Sequence, residues 1–357
     1  MAWAKRHQLL TPARLSLSIS AVDMPSVEEI GGLPADFPIS GLNAYGHPGI
    51  TAAAGARYGI LPDRILSVAG GSSMGNFLTA TACVQPGDRV VLEHPVYEPL
   101  LRVPEALGAE IVFVKRRLEN GWAVDPAEVA AACGRKAALV ILTNLHNPTG
   151  AGMPADVVRA AAGAAARAGA MLLVDEVYLD AAFPMDPRPA PAVTLAENAV
   201  STASFTKAYG LGSLRSGWVA GPKEFVDRLK MIRDSMDVDN AYPADVVSLQ
   251  VWKARERLLA RSERRFRENW PVVEAWLAKH PAWRCAKPAG GFVCFPRVPD
   301  GIDVDRLLET LLREHSCAVT PGEFFGEPRH VRIGFGASRT MLEEGLSAID
   351  AVAARLG

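Results

Sequence analysis

Residues 200–220, VSTASFTKAYGLGSLRSGWVA, read as two short apolar runs joined by a polar, glycine-bearing loop. The runs Val200–Ser204 and Gly217–Ala220, β-branched or apolar, are too short for helices and alternate with helical stretches along the chain. That pattern predicts strands covered on both faces. Working outward, similar runs occur at Ile65–Ala69, Arg89–Glu93, Ile111–Val114, Ala138–Thr143 and Met171–Asp175. Helical stretches at Gly75–Cys83, Tyr97–Leu107, Pro126–Cys133 and Pro154–Ala168 separate them, with alanine supplying propensity and proline marking several starts. Strands alternating with helices predict an α/β fold, a mostly parallel seven-stranded sheet sandwiched by helices. In such sheets ligands bind beyond the carboxyl ends of the strands. The stretches Gly70–Ser73, His94–Tyr97, Asn144–Gly150, Asp175–Tyr178 and Ser204–Lys207 each follow a predicted strand, so five loops are expected along one edge.

Past Pro243 the texture changes. Ala244–Lys279 reads as long helical segments interrupted near Pro271, followed by β-rich stretches at Gly291–Phe295, Cys317–Thr320 and His330–Phe335 and a last helix at Met341–Leu356. This predicts a large domain over 41–262 and a smaller α+β domain built from 1–40 and 263–357. Over 357 residues the chain is 49% hydrophobic and 22% charged with a net charge of −1, enough apolar material for a large core. That balance argues against nucleic-acid and membrane-surface partners and for a small-molecule site. Five cysteines without a CxxC spacing fit reduced thiols, and scattered histidines without HExxH give no reason to expect a metal. No apolar run reaches the ~18 residues of a membrane span, and Met1–Arg6 opens no signal-like apolar region, so a cytoplasmic protein is expected.

The chemistry sits in the loops. Ser204 lies three residues before Lys207 and Arg215 eight after it, with Gly210 and Gly212 allowing the backbone to bend. A hydroxyl, a guanidinium and backbone N–H groups match a phosphate. A lysine of lowered pKa is suited to an imine with a carbonyl. Phosphate, aldehyde and amine together suggest pyridoxal phosphate, although a solvated lysine and an ordinary surface arginine give the same spacing. Gly71, Ser72 and Ser73 open a helix whose free N–H groups favour an anion. Asp175 ends a buried strand, where a protonated ring nitrogen is one partner and a helix cap the other reading. Tyr178 and the amide of Asn147 can reach an adjacent phenolic oxygen, His146 reads as structural, and Tyr97 can stack on a ring or fill core. Arg332 lies in an apolar strand, so its partner is a ligand carboxylate or an internal Asp or Glu.

NPTG at Asn147–Gly150, DEVY at Asp175–Tyr178, SFTK at Ser204–Lys207 and the arginine at 215 run in order along the chain. This set resembles the class I and II aminotransferases among the fold-type-I pyridoxal-phosphate enzymes. The resemblance implies Lys207 as the Schiff-base lysine, Asp175 on the pyridine nitrogen, and Tyr178 with Asn147 on the ring oxygen. It implies Ser204, Arg215 and the Gly71–Ser73 turn on the phosphate, Tyr97 stacked on the ring, and Arg332 on the substrate carboxylate. Tyr45, ahead of Gly49, resembles the tyrosine that reaches the phosphate of a neighbouring subunit, so a homodimer is implied. The implied activity moves an amino group between an amino acid and a 2-oxo acid. A lyase, decarboxylase or cyclising synthase would use the same ring-holding residues, and a binding module that kept the cofactor site without turnover is the reading from a different class.

Overall fold

The computed structural model describes residues 12–237 and 239–357, so the Met1–Arg6 stretch lies outside the described residues. After the short β1 (Leu15–Ser16) come β2 (Ile65–Ala69), β3 (Arg89–His94), β4 (Glu110–Lys115), β5 (Leu139–Thr143), β6 (Met171–Asp175), β7 (Ala199–Ser204) and β8 (Ser216–Ala220). The last seven form one sheet in the order β2-β8-β7-β6-β5-β3-β4. All neighbours are parallel except β8, which runs antiparallel to β2 and β7. Reversing one strand brings Arg215, at its entry, to the edge where the other strands end.

Successive residues of the central strands feed opposite faces, both buried. Val91, Val140, Leu142, Leu172 and Val174 enter one apolar cluster, while Leu92, Leu139, Ile141 and Leu173 enter another on the far side. At ~1.5–3 kcal/mol for each fully buried aliphatic side chain, two-sided burial explains why these strands read as unbroken apolar runs.

The helices are α1 (Pro48–Tyr58), α2 (Ser72–Cys83), α3 (Glu98–Ala106), α4 (Pro126–Cys133), α5 (Ala155–Arg167), α6 (Lys223–Arg233), α7 (Tyr242–Lys253), α8 (Arg255–Lys279), α9 (Val304–His315) and α10 (Arg339–Leu356). α2 packs across the middle of the sheet, against β6, β7 and β8. It lies close because Gly75 has no side chain: a Cβ there would meet Val219 Cγ2 at 2.8 Å and Thr202 Cγ2 at 3.0 Å.

Pro271 does not interrupt its helix, contrary to the sequence expectation. α8 runs through it and the chain instead turns at Ala254, between α7 and α8. A mid-helix proline costs ~3 kcal/mol or more, but Phe266, Trp270, Val273 and Trp276 of the same helix are all buried in the largest apolar cluster, and that gain outweighs the lost bond. Beyond it, β9 (Val293–Cys294), β11 (Thr320–Pro321) and β12 (Val331–Gly334) form a three-stranded antiparallel sheet. β10 (Cys317–Ala318) pairs in parallel with β1. The beginning of the chain is thus stitched to its end. Among the described residues no helix is long and apolar enough to cross a membrane.

Candidate active site

The five loops converge at the carboxyl edge of the large sheet, and one corner of it is a cradle for an anion. α2 starts at Gly71, whose φ of 70° is left-handed, and no side chain caps its first turn. Met74 and Gly75 donate back to Gly71 O, so the N–H groups at the very start, those of Ser72 and Ser73, are the ones left for a ligand, and the dipole adds positive potential. Arg215, itself left-handed at φ 53°, accepts at its carbonyl the N–H groups of Gly70 at 2.6 Å and Gly71 at 3.0 Å. Its guanidinium turns back to donate to Gly212 O at 3.1 Å and to Gly70 O. A Cβ on Gly71 would sit 3.4 Å from that guanidinium and 3.6 Å from Ser204 Cβ. Glycine there keeps helix start, serine and arginine around one small space. Ser204 Oγ donates to Thr206 Oγ1 at 2.9 Å, and the buried hydroxyl of Ser216 has no partner among the described residues.

Lys207 is half-buried. Its Nζ donates to Ser20 Oγ at 2.8 Å and stands 5.6 Å from the centre of the Tyr178 ring. Burial is the main cause that lowers its pKa to about 7; Arg332 and Arg215 push the same way and Asp175 opposes them. Half-buried and with Nζ bonded to a buried serine, Lys207 is not a freely solvated surface lysine.

Asp175 is buried at the end of β6. Burial raises its pKa, and the largest opposing cause is a hydrogen bond from Asn76 Nδ2 to Oδ2 at 2.7 Å. Asn76 is held in turn by Thr202 Oγ1, which donates to Asn76 Oδ1 at 2.6 Å. Asp175 Oδ1 also accepts the N–H of Val177 at 3.1 Å, a local turn bond; the short helix that follows, Leu179–Ala181, takes no side-chain cap, so Asp175 is not the helix cap that was the other sequence reading. Sequence reasoning missed Asn76.

Arg332 is buried on β12 and, among the described residues, pairs with no carboxylate. It donates to Asn147 Oδ1 at 2.9 Å, to Ser18 O at 2.9 Å and to Thr320 Oγ1 at 3.3 Å, and its guanidinium carbon lies 5.2 Å from the centre of the Phe325 ring. Its buried Nε has no partner among the described residues. A buried cation held only by neutral groups is poorly compensated, which leaves room for an anionic ligand. Tyr97, half-buried at the start of α3, is close enough to Asp175, Arg332 and Arg215 for each to influence its hydroxyl, and burial raises its pKa.

Tyr178 donates from its hydroxyl to Ser20 O at 2.7 Å. Ser20 is thus a second residue that the sequence did not disclose. Tyr45 is not brought to the others within this chain: it donates to Asp234 at 2.8 Å, which raises its pKa. His146 is structural, as its sequence suggested. It is fully buried with Nδ1 2.7 Å from Thr149 Oγ1 and Nε2 2.9 Å from Pro95 O, and burial keeps it neutral. Beneath its loop, Arg116 and Glu93 form a buried ion pair, with Thr143 donating to Glu93 and Arg116 donating to the carbonyls of Thr143 and Trp122.

The residues present fit pyridoxal 5′-phosphate. The uncapped helix start, Arg215 and Ser204 suit a dianion; Asp175 suits a protonated ring nitrogen; Lys207 is an amine able to lose its proton near neutrality; and the unpartnered atoms of Ser216 and Arg332 are donors awaiting acceptors. Comparison with known proteins agrees. The fold is that of the fold-type-I pyridoxal-phosphate transferases: an aminotransferase from Streptococcus suis superposes with a TM-score of 0.92 at 25% identity, covering 100% of this chain and 97% of the other. A pyridoxal-phosphate-dependent cyclase, OrfR, superposes at 0.89 with 26% identity, covering 100% and 96%. The family model for aminotransferase class I and II matches residues 42–349, and the chain belongs to that family. Among curated proteins it is 33% identical to capreomycidine synthase of Streptomyces vinaceus, over 84% of this chain and 77% of the relative. It is 28% identical to arginine–pyruvate transaminase AruH of Pseudomonas aeruginosa, over 81% and 75%. The cofactor is pyridoxal 5′-phosphate.

Proposed function

We propose that this protein is an aminotransferase that moves an amino group between an amino acid and a 2-oxo acid, with Lys207 carrying the cofactor and then acting as the base. The observation that carries this reading is the half-buried Lys207 amine, held 2.8 Å from Ser20 Oγ and 5.6 Å from the centre of the Tyr178 ring, with its pKa lowered to about 7 chiefly by burial. When bound, the cofactor supplies an aldehyde for the amine and a ring that accepts electrons from the substrate's Cα–H bond. Asp175, whose carboxylate accepts a hydrogen bond from Asn76, holds a proton on the ring nitrogen. Asn147, whose Oδ1 is taken by Arg332, offers its Nδ2 to the ring oxygen. Ser204, Arg215 and the α2 start hold the phosphate, and Tyr97 covers the ring. Arg332 orients the substrate carboxylate through its unpaired Nε, and Lys207 Nζ takes the proton from Cα, a transfer worth ~10²–10⁴-fold when the base is positioned. In a homodimer Tyr45 would exchange Asp234 for the phosphate of the neighbouring subunit.

A second reading, a cyclising synthase on the same residues, draws on two named relatives, capreomycidine synthase and the cyclase OrfR. Both begin with proton removal by Lys207 and part at the product. Purified holoenzyme incubated with an amino-acid panel that includes arginine, with pyruvate as acceptor, separates them by mass spectrometry. A new 2-oxo acid with matching alanine supports transfer. A ring-closed product or ammonia without alanine supports the synthase or lyase. Lys207→Ala should lose the borohydride-reducible protein adduct, and its persistence removes Lys207 from both readings.

A further inference from the structure

The stretch from Leu17 to Asp23 is threaded across the site by contacts with three of its groups, Arg332, Tyr178 and Lys207. Arg332 donates to Ser18 O and Tyr178 to Ser20 O, while the N–H of Val22 donates to the carbonyl of Lys207 itself at 3.3 Å. The passage is cut to fit: a Cβ on Gly334 would run into Ile19 O, one on Gly336 into Ala21 O and one on Gly210 into Asp23 O. Outside the site, Gly334 N–H donates to Leu17 O at 2.6 Å, Arg261 donates to Asp23 O at 2.8 Å and Arg265 pairs with the Asp23 carboxylate at 3.1 Å. Ser20 is therefore a fixed point, not the tip of a loose end, and it is buried. Its hydroxyl is the one hydrogen-bond partner that the described residues give to Lys207 Nζ.

We propose that Ser20 is a positioning residue for Lys207: its Oγ fixes the direction of the free amine while its carbonyl fixes the Tyr178 phenol, so one residue sets the distance between base and ring. The inference rests on the reading of Lys207 as the base. A lysine amine at the end of four methylenes has many rotamers, and a base is effective only when its lone pair is aimed at the proton it takes. With an N–H committed to Ser20 Oγ, rotation about the last bond is restricted and the lone pair is confined to the remaining directions. The other groups facing Nζ are Arg332, Arg215 and Asp175 in its electrostatic surroundings and the face of Tyr178, and the two guanidinium groups repel its protonated form. Ser20 is the neutral acceptor that steadies that form without trapping it.

The test uses Ser20→Ala and Ser20→Thr in the full chain. Both keep the carbonyl that holds Tyr178, so thermal stability should stay near wild type. In holoenzyme, Ser20→Ala should lower the single-turnover rate with a reactive amino acid about tenfold, with KM within about twofold. Its isotope effect with Cα-deuterated substrate should rise, because proton removal becomes slower relative to other steps. Ser20→Thr, which keeps a hydroxyl, should recover to within about threefold of wild type. The second readout needs no activity. In cofactor-free protein, competitive acetylation of Lys207 followed by mass spectrometry gives the pH midpoint of Nζ. That midpoint should fall by about half to one unit in Ser20→Ala, since an ammonium gains more from a hydroxyl acceptor than an amine does, and not in Ser20→Thr. An unaltered rate, an unmoved midpoint, or equal damage in Ala and Thr variants overturns the proposal. Because the acetylation midpoint is independent of turnover, it separates this outcome from failure of the aminotransferase reading.

Discussion

Asn76→Ala tests the link between the α2 helix and the chemistry. Asn76 supplies the shorter of two hydrogen bonds to the Asp175 carboxylate, and it is the largest influence opposing the upward push of burial. A hydrogen bond to a charged group is worth about 1.5–3 kcal/mol. Its loss should push the Asp175 pKa further up and weaken the hold of its carboxylate on the ring-nitrogen proton by that energy, about tenfold to a hundredfold as an equilibrium constant. The assay is exchange of substrate Cα–H for deuterium in heavy water, read by mass spectrometry before any net product forms. Exchange should slow by about that factor while the cofactor remains bound, because the phosphate cradle is untouched. Thr202→Val removes only the bond that keeps Asn76 from turning, so it should slow exchange less, by about threefold. Exchange within twofold of wild type in Asn76→Ala, or a Thr202 variant more damaged than the Asn76 variant, would refute the reasoning.

Three more predictions follow the same logic. Arg332→Leu should weaken both amino acid and oxo acid by more than about tenfold while costing only the ~1–3 kcal/mol of its neutral hydrogen bonds in urea denaturation, since no internal carboxylate is stranded. Arg116→Met should cost about 3–5 kcal/mol in the same assay, because Glu93 is left charged and buried; adding Glu93→Leu should restore much of it. Lys207 binds its proton more weakly in the folded chain, at about 7 against 10.5 unfolded. The unfolded chain therefore holds more protons between those values, and the cofactor-free protein should gain stability as pH rises through that window. Lys207→Met should remove this part of the slope, measured by denaturation from pH 7 to 10.

The large sheet was legible because its strands are buried on both faces, so apolar runs and helix signals alternate plainly in the sequence. Each of the seven strands begins or ends within a residue of its predicted limits. Lys207, Asp175, Asn147, Tyr178, Ser204, Arg215, Arg332 and Tyr97 could be picked out because each sits just after, just before or within a strand at the active edge. Asn76 and Ser20 could not. Asparagine in a helix and serine in an extended segment are common, and what distinguishes these two is a partner 99 and 187 residues away. Pro271 misled for the opposite reason: a strong local rule was overruled by buried aromatic residues whose neighbours lie elsewhere in the chain. The Tyr45 match named a residue whose suggested partner would belong to a second copy of the chain.

The threading of Leu17–Asp23 bears on how the protein is made. Ser20 reaches Tyr178 across 158 residues and Lys207 across 187, and Ser18 reaches Arg332 across 314. During synthesis the opening segment must wait, unpaired, until nearly the whole chain has emerged. Closing loops of that length is slow, and such contacts form late. The large sheet can therefore assemble, with Lys207 in place but its amine unguided, before the two ends of the chain meet. Refolding followed at two probes should show sheet formation outrunning the fall in the Lys207 pKa, with catalytic competence arriving only when the first residues have found the last strand.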